Sequence, residues 1–245
     1  DRHLGYGLRR LRGDDHRPQI ESCAPCHSRR RVIYEGDPLR DGYYDCFQNE
    51  LLTPETYYAD GQILDEVYVY GSFIQSKMYH KGIRCSDCHD VHSTRVHQRD
   101  NTLCTSCHQH TPAKYDTPAH HNHPVDSAGA LCVECHMPAT PYMEVDYRRD
   151  HSLRIPRPDL SVQLKTPNAC TGCHLDVNNV SEEKRGDLDH YSKWLTAARN
   201  GDEEVAAELA RVDRWSADWI AKWYRPKPRE LHWAPALTAA WNHDP

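Results

Sequence analysis

Apolar residues follow no sustained period over most of this chain, and two stretches break that rule. Leu64, Val67, Tyr68, Tyr70, Phe73 and Ile74, within Leu64–Met78, are spaced to fit a helix better than a strand, although periodicity alone does not settle it. The stronger stripe is C-terminal. Val205, Leu209, Val212, Trp215, Trp219 and Trp223 recur at steps of three and four, which predicts one helical face turned to one surface. Asp202 and Glu203 stand at its start and Pro226 just past its end. A preceding helix is expected over Asp187–Arg199, closed by Asn200 and Gly201, so that the pair forms a helical hairpin. A third short helix is expected from Leu231 to Trp241. Residues 36–62 carry Gly36, Pro38, Gly42, Pro54 and Gly61 and read as loop. Residues 1–22 are rich in Arg and Gly without a period and read as an entry segment.

Five copies of Cys-x-x-Cys-His interrupt the region between these stretches: Cys23–Cys26–His27, Cys85–Cys88–His89, Cys104–Cys107–His108, Cys132–Cys135–His136 and Cys170–Cys173–His174. This is the attachment motif of c-type haem. Two thiols add to the vinyl groups of one porphyrin, and the next residue supplies the proximal nitrogen to iron. A single copy would also fit a zinc site or a redox dithiol. Neither of those needs the fixed His, and five identical copies point to five covalent haems. Packed against them, residues 85–180 have little room for long regular elements.

Composition agrees with that economy. Only 38% of the 245 residues are hydrophobic and two are Phe, a thin supply for an ordinary core of this size. Five porphyrins would make up the deficit, and the apo-chain is expected to be largely unfolded. Ten of the eleven cysteines are taken by the motifs. Cys46 is left over, expected as a small, partly buried thiol rather than a redox group. Thioether attachment of haem takes place outside the cytoplasm, so the expected location is the periplasm or the cell surface. No signal peptide is visible at Asp1-Arg2-His3, so it is expected to have been cleaved or to lie upstream. No run approaches the roughly 18 apolar residues of a membrane span. The net charge of −6 argues against a nucleic-acid partner. The basic run Ser28-Arg29-Arg30-Arg31 reads either as a solvated face or as a partner for haem propionates.

Eighteen His minus five proximal ones leave thirteen. A haem that only carries electrons takes a second axial ligand, so five distal ligands are sought among them. His92 is too close to His89 to reach the far side of the same haem but can reach a neighbour's. His120, His121 and His123 crowd ahead of the fourth motif. His151 stands between Asp150 and a stiff Ile155–Pro158 turn. His80 lies just before the second motif, with Met78 a weaker candidate of the same kind. His3, His16, His97, His110, His190, His232 and His243 read mostly as surface or hydrogen-bonded residues.

The runs Asp60–Phe73, Ser76–Tyr79, Cys85–Ser93, Tyr115–His121, Cys132–Pro138 and Arg149–Ser152 together resemble the multihaem cytochrome c family related to cytochrome c-554. The resemblance spans roughly residues 20–180. More distantly, the chain is similar to the haem-packing core of pentahaem nitrite reductases and octahaem hydroxylamine-oxidising enzymes. It implies stacked haem pairs, mainly bis-His ligation, and electron transfer. The distal ligands would be His92, one or more of His120, His121 and His123, and His151. Family members usually carry further motifs upstream and helical repeats downstream. The chain is therefore expected to be a segment or a shortened member, with a distal ligand able to come from another segment or subunit. The insert around Asp187–Leu209 is unusual for the family.

The expected architecture is mainly α with much irregular loop: a pentahaem module over 1–180, its core built on stacked haems, and a helical packing or docking element over 181–245. Three functions remain open. The first is an electron carrier between extracytoplasmic redox proteins, with no substrate of its own. The second is a reductase or oxidase of a small nitrogen or sulfur compound; it needs an open haem, and the Cys-x-x-Cys-Lys motif of nitrite reductases is missing. The fourteen Tyr leave open the Tyr cross-link of the hydroxylamine-oxidising class. The third is a structural cytochrome subunit of a larger haem assembly.

Overall fold

The computed structural model describes residues 15–108, 114–143 and 146–224. The helix expected over Leu231–Trp241 lies outside them, as do His3, His110, His232 and His243. The described chain is mainly helical, and its strands form three two-stranded sheets. No described helix is long and apolar enough to cross a membrane. The chain divides into two compact units. The first takes in residues up to Leu51, Glu66–Pro138 and Arg149–Arg154; the second takes in Leu52–Asp65, Ala139–Arg148 and the chain from Ile155 onward.

The first unit starts on the helix Arg17–His27, with Pro18 in its first turn, where a missing N–H costs nothing. Ile20 and Ala24, four residues apart, turn one face of it inward onto Tyr43, Tyr70 and Phe73. Tyr43 is the hub: its ring lies 5.2 Å from Tyr70 and 4.9 Å from Tyr44. Its hydroxyl meets Ser28, which donates to the Ala24 carbonyl. Residues 36–51, read as loop, hold more order than that. Two short helices, Pro38–Asp41 and Tyr43–Cys46, meet at Gly42, whose φ of +104° suits glycine. Phe47–Asn49 then pairs antiparallel with Arg30–Val32. The basic run is therefore largely strand, with Arg30 over the Phe47 ring and Arg29 paired with Glu50 at 3.5 Å. Cys46 is fully buried. The helix expected within Leu64–Met78 is confined to Tyr68–Ile74. The amides of Leu64 and Asp65 are committed elsewhere, to the Thr56 carbonyl.

The second unit is built on the helical hairpin. Tyr191–Arg199 turns at Gly201, φ +93°, into the 22-residue helix Glu203–Tyr224. Asp202 caps the second helix by accepting from the Val205 amide, and Lys184 pairs with both Asp202 and Glu204. The core is Val180, Leu188, Trp194, Val205 and Leu209, and the Trp194 indole donates to the Leu188 carbonyl. The helix Pro158–Leu164 also packs along Glu203–Tyr224.

The six-residue stripe does not face one surface. Val205, Leu209 and Val212 are buried, whereas Trp215, Trp219 and Trp223 are 40%, 47% and 39% exposed. The buried row runs on through Ser216 and Ile220. A helix advances about 100° per residue, so Ser216 continues the row of Val212 while Trp215 starts a second row beside it. The expected single face is thus corrected to a buried row on the long helix with a separate, more exposed indole row beside it.

Candidate functional site

Four motifs lie in the first unit and are set by short helices. Cys23–His27 closes the helix Arg17–His27, and Cys85–Cys88 forms a single turn whose Asp87 carboxylate accepts from the Arg84 amide. The helix Thr102–Thr105 carries Cys104, and Cys132–His136 carries the fourth motif. The fifth, in the second unit, sits on Thr171–His174. None of the eleven cysteines forms a disulfide.

Amide side chains tie the first-unit motifs in pairs. Gln19 exchanges two hydrogen bonds with Ser86, at 2.8 and 3.1 Å, which joins the first motif's helix to the second motif. Asn101 caps the third and fourth motifs together. Its carbonyl accepts from the Cys104 and Thr105 amides, and its Oδ1 accepts from the Cys132 amide at 2.8 Å. Cys23 neighbours Cys85, and Cys104 neighbours Cys132. Interaction within each pair lowers the Cys23 and Cys104 thiols and raises Cys85 and Cys132. Burial, then Asp87 and Cys107, pushes Cys88 up to about 11.

Two motif histidines each face a non-motif histidine. The His89 and His151 rings lie 6.2 Å apart, centre to centre, at 23°; His136 and His120 lie 6.3 Å apart at 4°. Backbone carbonyls fix two of these imidazoles: His151 Nδ1–H donates to Arg149 at 2.9 Å, and His136 Nδ1–H donates to Arg154 at 2.5 Å. That tautomer leaves Nε2 for a metal, as in second-shell-oriented metal ligands. Burial shifts His89, His151 and His120 toward the neutral form that can ligate, and a facing or neighbouring imidazole adds to the shift of each.

The separation has a chemical meaning. Imidazole nitrogens bind a first-row metal at about 2 Å, so two such bonds plus the half-widths of the rings span about 6 Å. The two centroid separations match that length. Among the described residues no group of three or more His, Cys, Asp and Glu could hold a metal alone. The remaining positions would be filled by a planar tetradentate ligand, and a haem needs two axial donors and two thiols beside one of them. Each pair brings together two imidazoles, one of them directly following a motif's two cysteines in sequence.

The other candidates are placed differently. His92 is exposed on the turn between two short strands, its amide donating to Asp90, and no described contact sets it opposite a motif histidine. His80 is exposed and packs on Tyr79; Met78 is half-buried. His121 and His123 contact each other: His123 Nδ1–H donates to the His121 carbonyl, and a side chain at Gly129 would run into the His123 ring. Of the histidines set aside from sequence, His97 donates from Nε2 to the Ser86 carbonyl and His16 packs on Tyr79. In the second unit, Asp213 accepts from Thr171 inside the fifth motif at 2.6 Å and from Asn168 at 2.5 Å, and Trp215 lies 4.8 Å from His174. The roles of Gln19, Asn101 and Asp213 carried no signal in the sequence, since each acts on a residue far along the chain. No protein-family model matches the chain, and no curated protein or solved structure matches it.

Proposed function

We propose that this chain is an electron-transfer c-type cytochrome carrying five covalent haems and relaying electrons between extracytoplasmic redox partners. The observation that carries the reading is the facing of His89 by His151 and of His136 by His120 at a separation that fits one metal ion. Haem, when bound, supplies one-electron chemistry. The chain's own residues do the rest. The ten motif cysteines would hold the five haems, and His27, His89, His108, His136 and His174 would each supply a ligand to one iron. His151 and His120 would supply a second ligand to two of them, which would leave no coordination position there for a substrate. Carbonyl-bound Nδ1 atoms keep the ligand rings still when charge changes. The Gln19–Ser86 and Asn101 ties support pairing of the first centre with the second and of the third with the fourth.

The test is mass spectrometry of the mature protein with optical spectroscopy of two variants. Five haem additions are expected. His151→Ala and His120→Ala should each keep five haems and convert one low-spin centre to high-spin. Four or fewer additions, or unchanged low-spin spectra in both variants, would overturn the proposal.

A further inference from the structure

Six residues, Arg149–Arg154, belong to the first unit although the chain on both sides belongs to the second. They touch both histidine pairs. The carbonyl of Arg149 accepts from His151 Nδ1–H, which orients the partner of His89. The guanidinium of the same residue reaches the helix Cys132–His136: Nη1 donates to the Met137 carbonyl at 3.1 Å and the Val133 carbonyl at 3.3 Å, and Nη2 donates to Glu134 at 2.5 Å. Those carbonyls end the helix that carries His136, and a cation there is favourable as well as bonded. At the far end, Arg154 bonds His136 twice. Its carbonyl accepts from the ring, and its amide donates to the His136 carbonyl at 3.1 Å.

The segment between is held stiff. Asp150 is buried, its amide donates to the Pro138 carbonyl, and its carboxylate accepts from Ser152 at 2.7 Å. The His151 amide donates to the buried Ser72 hydroxyl, and Arg154 Nε donates to Ser152. Leu153 takes a left-handed conformation, φ +50°, and packs on the aromatic core of the first unit. Such a backbone persists only where its surroundings over-determine it.

We infer that Arg149–Arg154 is a strap that makes two redox centres interdependent, with Arg149 as a positioning residue for both. This rests on the haem reading above and adds a coupling that attachment motifs alone do not require. One backbone turn sets the ring plane of His151 while one side chain sets the helix of His136, so neither imidazole can reorient without moving the strap that holds the other. The strap is also a covalent route of three residues and one hydrogen bond between the two centres.

The experiment compares the full haem-loaded protein with Arg149→Met, which keeps the stem and removes the guanidinium, and with the milder Glu134→Gln. Haem number is read by mass, and both low-spin centres by electron paramagnetic resonance and potentiometric titration, because the angle between axial ring planes sets the anisotropy of such signals. Five haems should remain in every variant. In Arg149→Met two low-spin signals should change together and two midpoint potentials should move. Glu134→Gln should move the same two by less, and Arg149→Lys should restore only part of the change. Two outcomes overturn the strap: a response confined to one centre, or a lowered melting temperature with both signals unchanged. A wild-type protein with fewer than five haems removes the functional reading beneath it, and mass alone separates that failure from the other two.

Discussion

The two units solve the problem of a thin apolar supply in different ways. The second has an ordinary aliphatic core, in which Val180, Leu188, Val205 and Leu209 close around Trp194, and its hairpin is stopped and started by Gly201 and Asp202. The first has one aromatic cluster near its N-terminal helix, and its other motifs sit on helices of four or five residues. A single turn is not stable by itself, because helix nucleation fixes several dihedrals for one hydrogen bond. The second unit can hold its shape through its own side chains, whereas the motif turns of the first would, on the proposed reading, depend on the haems bound to their cysteines.

The largest expected effect follows from that contrast. Replacing the cysteines of the second, third and fourth motifs with Ala should leave the amides of the first unit exchanging near unprotected rates. Amides in Tyr191–Arg199 and in the first half of Glu203–Tyr224 should stay protected. Hydrogen exchange read by mass spectrometry checks this, and equal loss of protection in both units would erase the distinction.

Within the second unit the buried and exposed rows of the long helix can be set against each other. Leu209→Ala empties part of the core and should cost about 2–5 kcal/mol. Trp219→Ala removes a larger side chain from an exposed row and should change stability by about 0.5 kcal/mol or less. Chemical denaturation of the two variants measures both. A Trp219 cost as large as that of Leu209 would restore the single six-residue face.

What the sequence carried follows from the same physics. The five motifs were legible as spacings because each lies within five consecutive residues, and the hairpin because Gly201 and the aliphatic period are local signals. The indole row was misplaced because Ser216 is polar by type and buried in fact, so an apolar period passes over it and lands on Trp215. Of the distal candidates, His120 and His151 are brought to motif histidines; the signals were the crowding of His120 with His121 and His123 ahead of the fourth motif and the stiff turn after His151. His92 was chosen on reach and on the resemblance, and it lies exposed on its turn. Gln19–Ser86, Asn101–Cys132 and Asp213–Thr171 left no trace, because a side chain that caps an element tens of residues away leaves no local pattern.

Two carboxylates on the long helix give a finer probe, since they depend on pH with opposite sign. Glu208 is 3% exposed and accepts from both Arg211 guanidinium nitrogens, the Asp176 amide and Asn179. These bonds, Arg211 first, hold it down to about 2 from an ordinary 4.5. A depressed carboxylate stabilises the fold above its unfolded value, so this contribution is present above 4.5 and is lost as pH falls from there toward 2. With Arg211 half-exposed and screened, it is on the order of 2 kcal/mol. Glu208→Gln should flatten the acid limb of the stability curve by that amount, measured as the denaturation midpoint against pH.

Asp213 should give the smallest effect and the opposite slope. Burial raises its carboxyl above the ordinary 3.8, and the bonds from Thr171 and Asn168 only partly offset this. Arg214 beside it on the helix pulls the other way, while the buried Tyr191 hydroxyl, which accepts from the Asn168 amide, carries no charge at neutral pH. A raised folded-state value means that the proton is held more tightly folded than unfolded. Relative stability is therefore fully present below the unfolded value and is lost as pH rises through the folded one. At neutral pH the charged form is held at a desolvation cost, yet its oxygen still ties the long helix to the fifth motif through Thr171. Asn at this position keeps an oxygen for both donors and carries no charge to desolvate. Asp213→Asn should thus be as stable as the parent or slightly more so at neutral pH, show a shallower slope across the same window, and keep the fifth haem attached. Denaturation midpoints measured from acid to neutral pH, with haem number by mass, check all three. A variant clearly weaker at neutral pH would mean that the charge itself, through Arg214 or the bonds to Thr171 and Asn168, outweighs its desolvation.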